Sequence, residues 1–470
     1  MNCEDAFQDS ASKPCKMARS FHVVNLGCKV NRVESDAIAA AMLKRGAQFA
    51  DEACAEVIFV NTCTVTGEAD KKARKAVRHA LNVNPDARVI VTGCAVAIDA
   101  DTFASFDPRV EVVQRTRLFA NFLSDGDLML TESPLAGDPT LNAGSRTNDL
   151  RIGEGFRTRV NIKIQDGCDH ACTYCIVHVA RGKAKSAPYR QVVEEARAYF
   201  QHGAKELVLA GIDLASYRDG DVRLAQLVEL LLEEADKACL PGELPARVRA
   251  SSIEPHTLDE QLIDLLARSN GRLCRHLHLP LQSGSSKVLR EMARPYDAAR
   301  FKEIVEHLYE RVPALSLTTD IIVGFPGETD DDFAATMELA RASRFSKIHV
   351  FPYSRREGTP AAVRADQVPA EVKVARAASL RALSDELRKA DFERRRGSEE
   401  LVIVEDTCAL TESYHELPVP PDAHPGSLVL VRMDSYTDED FEEAGMTFET
   451  REGRRSIAEA VREAREKREQ

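Results

Sequence analysis

Long apolar runs are missing from this 470-residue chain; none approaches the ~18 residues that a membrane-spanning helix requires. Its start, Met1-Asn-Cys-Glu-Asp, has neither the basic nor the apolar region of a secretion signal, so a cytoplasmic location and no membrane partner are expected. Basic residues are nearly absent from one stretch: positions 401–450 hold Arg432 alone against twelve acidic residues, a net of −11. Such a stretch repels phosphate, which proteins hold mainly through Lys and Arg. The rest of the chain balances 62 Lys and Arg against 63 Asp and Glu and can still carry local basic stripes. No internal repeat is visible. Cysteine, by contrast, is abundant, with twelve residues. In a reducing compartment, clustered thiols point to metal rather than to a disulfide framework. The length leaves room for about three domains, and 44% apolar residues suffice for ordinary cores.

The densest cysteine group also lacks something, a fourth ligand. Cys168, Cys172 and Cys175 stand in Asp166-Gly-Cys-Asp-His-Ala-Cys-Thr-Tyr-Cys-Ile, a C-x3-C-x2-C loop. A 4Fe-4S cluster normally takes four thiolates, so three leave one iron open to a small molecule. S-adenosylmethionine (SAM) suits that place, because its amino and carboxylate groups can chelate the iron and an electron can then split its sulfonium to a carbon radical. Such a radical breaks C–H bonds that acid–base chemistry leaves untouched. The competing reading is a structural zinc site completed by His170 or His178, although zinc usually shows paired C-x2-C or C…H spacing. The x3/x2 spacing and Tyr174 before the last cysteine favour the cluster.

Residues 1–18 read as a disordered polar tail, and residues 19–125 as a first α/β domain. Strands are predicted at 22–26, 56–60 and 88–91, with helices over 33–44 and 68–81 between them. This βαβαβ order implies parallel strands, whose carboxyl ends share one edge where open α/β sheets hold ligands. Gly27-Cys28, Thr62-Cys63 and Gly93-Cys94 fall at those ends. A second three-thiolate site, again fit for 4Fe-4S with an open iron, is therefore expected. Each cysteine taken singly could equally be a small buried hydrophobe. Burial is the default for Cys3, Cys15, Cys239, Cys274 and Cys408, which have no assigned role; Cys54 lies before its strand and does not fit the pattern. Lys71, Lys72, Arg74, Lys75 and Arg78 form a basic stripe on the second helix, either a nucleic-acid contact or a solvated face.

Residues 126–155 read as a linker marked by Pro134, Gly137, Pro139, Gly144 and Gly153. Residues 156–395 alternate strands, at 160–164, 206–210, 247–252, 275–281, 316–323 and 347–352, with helical stretches. Six βα units suggest a partial barrel, with the cysteine loop leaving its first strand at the carboxyl end, where barrels place chemistry. Tyr174 in the loop, then Gly211 and Asp213, Ser252 and Glu254, Gln282, and Asp320 at later strand ends outline a ring suited to a bound cofactor. Any one of these could instead serve a turn or cap, as could Gly324 and Gly327. After a helix over 369–395, residues 396–455 carry short strands broken by prolines, a small β module, and 456–470 form a charged tail.

Leu26-Gly-Cys-Lys-Val-Asn31, Asn61-Thr-Cys-Thr-Val-Thr66, Val91-Thr-Gly-Cys94, Gln165-Asp-Gly-Cys-Asp-His-Ala-Cys-Thr-Tyr-Cys175, Leu281-Gln-Ser-Gly-Ser285 and Tyr353-Ser-Arg-Arg-Glu-Gly-Thr-Pro360 together resemble the radical-SAM methylthiotransferases, over roughly residues 20–433. Gly-Cys-Lys-Val-Asn is similar to the branch acting on N6-threonylcarbamoyladenosine beside the tRNA anticodon; the isopentenyladenosine branch usually reads Gly-Cys-Gln-Met-Asn and the ribosomal-protein branch Gly-Cys-Pro-Lys-Asn. The resemblance implies a Rossmann-like parallel α/β domain, a radical-SAM partial (β/α)6 barrel and a small TRAM-like β-barrel credited with RNA binding. It implies a SAM-cleaving cluster on Cys168, Cys172 and Cys175 and an auxiliary 4Fe-4S cluster on Cys28, Cys63 and Cys94 whose open iron carries a sulfur. One SAM would methylate that sulfur; another would yield the radical that takes hydrogen from carbon 2 of the adenine. An electron donor of unknown identity is implied as well. His170, His178 and Ala95 depart from the usual Asn, Pro and aromatic residue. The alternatives are methylthiolation of isopentenyladenosine or of a ribosomal protein, and a non-enzymatic RNA-associated metal protein.

Overall fold

The computed structural model describes residues 18–115, 118, 159–444 and 446. The linker expected over 126–155, the charged tail expected over 456–470, and Cys3 and Cys15 lie outside the described residues.

The first unit is a five-stranded parallel sheet of Ser20–Asn25, Gln48–Phe49, Val57–Thr62, Arg88–Gly93 and Val110–Val112, ordered second, first, third, fourth, fifth. Val57–Thr62 lies in the middle and is buried throughout, as its unbroken apolar run requires. Separate apolar cores cover the two faces, one around Ile58, Val77 and Val91, the other around Phe21, Ile38 and Phe59. Two strands are not evident in the sequence because they are short: Gln48–Phe49 is exposed and Val110–Val112 has three residues. The helix Lys29–Lys44 starts four residues before the expected Val33, and Cys28 occupies its N-cap with no capping side chain. The helix Gly67–Val83 is capped conventionally, the Ala69 N–H donating to the Thr66 hydroxyl at 3.1 Å.

The second unit contains the six parallel strands Arg159–Lys163, Glu206–Ala210, Arg247–Arg249, His276–His278, Ser316–Val323 and Lys347–Pro352. They form two ladders of three, stitched by isolated bridges at Val248–Leu273 and Ser252–His278. Alternation divides each strand: Leu207, Val248, Leu277, Leu317 and Ile348 join the outer core with the helices. The intervening Glu206, Arg249, His276, His278, Thr318, Asp320 and His349 therefore face the opposite side, so the concave interior is polar. That is unlike the apolar filling of a closed barrel, and it leaves a place for a polar ligand.

Below the barrel, Glu399–Val404, Ala409–Thr411, Glu416–Leu417 and Leu428–Arg432 form a four-stranded antiparallel sheet, reached through the long helix Ala370–Arg395. Arg247 and Arg249, both fully buried, join it to the barrel. Arg247 donates to the Leu410 carbonyl at 3.0 Å and also to that of Leu401; Arg249 donates to those of Thr411 and Glu412 at 3.0 and 2.9 Å. Glu206 neutralises both guanidinium groups, and its carboxyl is held low: burial opposes ionisation, but Arg247 and Arg249 outweigh it. Tyr414, in the left-handed region at φ +72, stacks on His276 with ring centroids 4.7 Å apart. The acidity of this segment is partly internal, because Glu405 pairs with Arg159 at 2.6 Å and Glu412 with Arg275 at 2.5 Å. Among the described residues, no helix is long and apolar enough to cross a membrane.

Candidate active site

Cys28, Cys63 and Cys94 follow three neighbouring strands of the first sheet at their carboxyl ends. They converge there. The amide of Asn31 lies between two of them, its Oδ1 3.4 Å from the Cys28 sulfur and 4.0 Å from that of Cys94. Gly27, at φ +121, approaches the third so closely that a Cβ in its place would sit 2.8 Å from the Cys63 Cβ and 3.0 Å from its sulfur. Burial pushes the Cys94 thiol up to about 11, with Arg181 opposing it, and raises that of Cys63. Thiols so placed ionise when a metal centre supplies the positive charge that burial withholds.

Cys168, Cys172 and Cys175 lie on a loop that leaves the first barrel strand and runs into the short helix Val177–Arg181. Each sulfur accepts one N–H: Cys168 from the His170 backbone at 3.4 Å, Cys175 from that of Val177 at 3.4 Å, Cys172 from the Arg294 guanidinium at 3.2 Å. Burial pushes the Cys168 thiol up to about 12. Neither cysteine trio has its three sulfurs within 4.8 Å of one another, nor do His170 and His178 complete such a group among the described residues. A mononuclear zinc site needs ligand sulfurs about 3.8 Å apart, from Zn–S bonds of about 2.3 Å at tetrahedral angles. Among the described residues, neither trio is assembled at that mononuclear spacing.

The two trios are neighbours. The helix Cys94–Ile98, which opens at one trio, packs on Val177–Arg181, which follows the other. Between them lies a buried charge network. Arg181 donates to Cys94 at 3.1 Å, Asn31 at 2.8 Å, Asp166 at 2.8 Å and Glu34 at 3.1 Å. Lys163 and Arg115 complete it, reaching Glu34 at 3.3 Å each. Burial works against ionisation of Glu34 and Asp166, but Lys163, Arg181 and Arg115 hold both carboxyls below their ordinary range. A second junction comes from the Tyr353–Pro360 segment: Arg356 bonds Asp70 and Thr64, and Ser354 Oγ accepts the Gly67 N–H at 3.2 Å.

The expected ring of cofactor residues divides into three parts. Tyr174, Asp213 and Glu254 gather near the cysteine loop. Asp213 Oδ2 lies 3.4 Å from His170 Nε2, while its Oδ1 is buried with no partner among the described residues. Glu254 pairs with Arg294; burial nonetheless raises its carboxyl above the ordinary value. Tyr174 packs against the apolar cluster that includes Met292, Phe325 and Tyr353. Gly211, Ser252 and Gln282 act through backbone or space. A Cβ on Gly211 would meet Gln165 at 3.1 Å, and Gln165 Oε1 in turn accepts the N–H groups of Ile212 and Asp213 at 2.8 and 3.0 Å. The Ser252 carbonyl accepts the Leu214 N–H at 3.2 Å. Gln282, at φ +67, exchanges backbone hydrogen bonds with Asp320 and Ile322 at 2.8 and 2.9 Å.

Asp320 belongs to a different group, with His278 and His349, whose ligand atoms all lie within 4.8 Å. His278 already spends both nitrogens, on the Thr318 hydroxyl at 3.0 Å and on Asp320 at 3.3 Å, and the His349 ring lies beside it with ring centroids 5.7 Å apart. Burial pushes His349 down to about 4.

Two family models match the chain: the radical SAM superfamily over residues 162–340, and the uncharacterized protein family UPF0004 over residues 20–114. The threonylcarbamoyladenosine tRNA methylthiotransferase MtaB of Bacillus subtilis is 39% identical over 374 residues, covering 79% of this chain and 81% of that protein. MtaB of Thermotoga maritima is 34% identical, with 82% and 87% covered. The tRNA-2-methylthio-N(6)-dimethylallyladenosine synthase of Bacillus subtilis is 33% identical, with 82% and 76% covered. Among solved structures, the radical SAM methyltransferase TsrM of Kitasatospora setae shares the fold, with a TM-score of 0.51 at 15% identity over 74% of this chain and 77% of TsrM. With cysteine trios at both strand-end edges and relatives of this extent, the chain belongs to the radical-SAM methylthiotransferase family.

Proposed function

We propose that this protein methylthiolates carbon 2 of N6-threonylcarbamoyladenosine beside the tRNA anticodon, giving 2-methylthio-N6-threonylcarbamoyladenosine. The observation that carries this reading is the pair of adjacent three-thiol sites joined by Arg181. Cys168, Cys172 and Cys175 would hold one 4Fe-4S cluster, and Cys28, Cys63 and Cys94 an auxiliary one. With SAM bound, the first supplies a carbon radical able to remove hydrogen from an unactivated aromatic carbon. The remaining work is done by protein groups. Asp213, with its unpartnered Oδ1, and Glu254 suit the ammonium of SAM, while His170 and Arg294 suit its carboxylate. Tyr174 closes the loop against the core. The polar barrel interior accepts the nucleoside.

The reading divides the chain at 19–125, 156–395 and 396–455, with the electron supplied by a separate donor and the reaction in the cytoplasm. The acidic third unit leaves RNA binding to other surfaces. Lys71, Lys72, Lys75 and Arg78 are exposed on the helix that starts four residues after Cys63, which supports a nucleic-acid contact on that helix. The Gly-Cys-Lys-Val-Asn sequence and the leading relatives favour the threonylcarbamoyl substrate over isopentenyladenosine. Nucleoside mass analysis of tRNA from a strain lacking the gene tests this: the 2-methylthio derivative of threonylcarbamoyladenosine should disappear and its unmodified precursor accumulate. Unchanged levels, or loss of the isopentenyl derivative instead, would overturn the substrate assignment.

A further inference from the structure

Arg181 has no place in the cysteine pattern, yet its side chain is 1% exposed and all three of its nitrogens are engaged. If it served only to join the two units, the carboxylates of Glu34 and Asp166 would suffice. Instead its Nε donates to the Cys94 sulfur at 3.1 Å. One Nη donates to Asn31 Oδ1 at 2.8 Å, the same oxygen that lies 3.4 Å from the Cys28 sulfur. Arg181 thus touches one sulfur of the trio directly and a second through one amide. It comes from the other unit, six positions after Cys175. The loop trio has a counterpart in Arg294, which donates to Cys172 at 3.2 Å.

A hydrogen bond to a cluster sulfur withdraws electron density and, with the buried positive charge, favours the reduced form; both raise a cluster's reduction potential. We propose that Arg181 is a positioning residue that orients the Cys94 sulfur and raises the reduction potential of the centre held by Cys28, Cys63 and Cys94. The auxiliary site reaches its working potential only with the barrel unit docked against it. The inference rests on the reading that this trio holds a cluster.

The test is a potentiometric titration of the reconstituted holoenzyme, followed by electron paramagnetic resonance with and without SAM. Signals that change with SAM belong to the loop centre; those that do not belong to the auxiliary one. Arg181→Gln should shift the SAM-insensitive signal to lower potential and leave the SAM-sensitive one in place, with Arg181→Lys between it and the parent protein. Unchanged potential and line shape of the SAM-insensitive signal in Arg181→Gln would overturn the proposal. Should that variant not fold, the parent protein grown on isotopically labelled arginine decides. Hyperfine coupling of a guanidinium nitrogen to the reduced SAM-insensitive centre is the predicted result, and its absence refutes the hydrogen bond. A parent protein with about four iron per chain and no SAM-insensitive signal would instead refute the two-cluster reading on which this rests.

Discussion

Gly27 is constrained by its neighbour across the sheet. Its φ of +121 lies where side chains are strained, and a Cβ there would collide with Cys63. Gly27→Ala should therefore displace the Cys63 sulfur and remove the auxiliary centre while leaving the loop centre. Iron analysis of reconstituted protein should fall from about eight to about four per chain; full iron content would show that the close approach is dispensable. At this scale the sequence exposes candidate ligands better than what surrounds them. Six cysteines stand out because thiols at strand ends and at x3/x2 spacing seldom coincide by chance. Arg181 and Arg294 do not, because a lone arginine in a helical or turn pattern reads as surface. Their burial depends on carboxylates elsewhere in the chain, Glu34 147 positions from Arg181 and Glu254 40 positions from Arg294. Asn31 and Glu34 stand inside or beside a cysteine motif, yet only the fold reveals that they face the site.

At the scale of elements, the barrel strands over 206–210, 316–323 and 347–352 coincide with their expected positions and the first begins one residue earlier, whereas the strands expected over 247–252 and 275–281 are only Arg247–Arg249 and His276–His278. What the pattern does not convey is the role of the polar residues alternating within them. Glu206, Arg247 and Arg249 look like solvent-facing strand positions but form the seam to the terminal sheet. Glu206→Gln would strand two buried guanidinium groups without a counter-charge and should destabilise the protein by about 3–5 kcal/mol, the usual cost of breaking a buried ion pair. Urea unfolding measures this; a loss below about 1 kcal/mol, typical of an exposed pair, would contradict the burial. The helix Gly67–Val83 offers a complementary test. Lys72→Glu with Lys75→Glu should weaken tRNA binding and lower the slope of log affinity against log salt by about one for each phosphate no longer neutralised. Unaltered binding would return the stripe to the role of a solvated face.

At the scale of the whole molecule, the net charge of −12 conceals an uneven distribution. Acids of the terminal sheet are partly answered by Arg159 and Arg275 from the barrel, while cations cluster on the first unit. Two units that each present an incomplete set of thiols are brought edge to edge by a buried arginine and by the Arg356 junction. Neither junction can be inferred from spacing, since each joins residues over eighty positions apart. The central claim is that the two trios do separate parts of one reaction. It is tested most directly by incubating reduced holoenzyme anaerobically with SAM and tRNA bearing threonylcarbamoyladenosine, and quantifying 5'-deoxyadenosine and methylthiolated nucleoside together. The parent protein should form both, and Cys63→Ala should form 5'-deoxyadenosine alone. Methylthiolated nucleoside from Cys63→Ala, or none from the parent protein while SAM is cleaved, would contradict it.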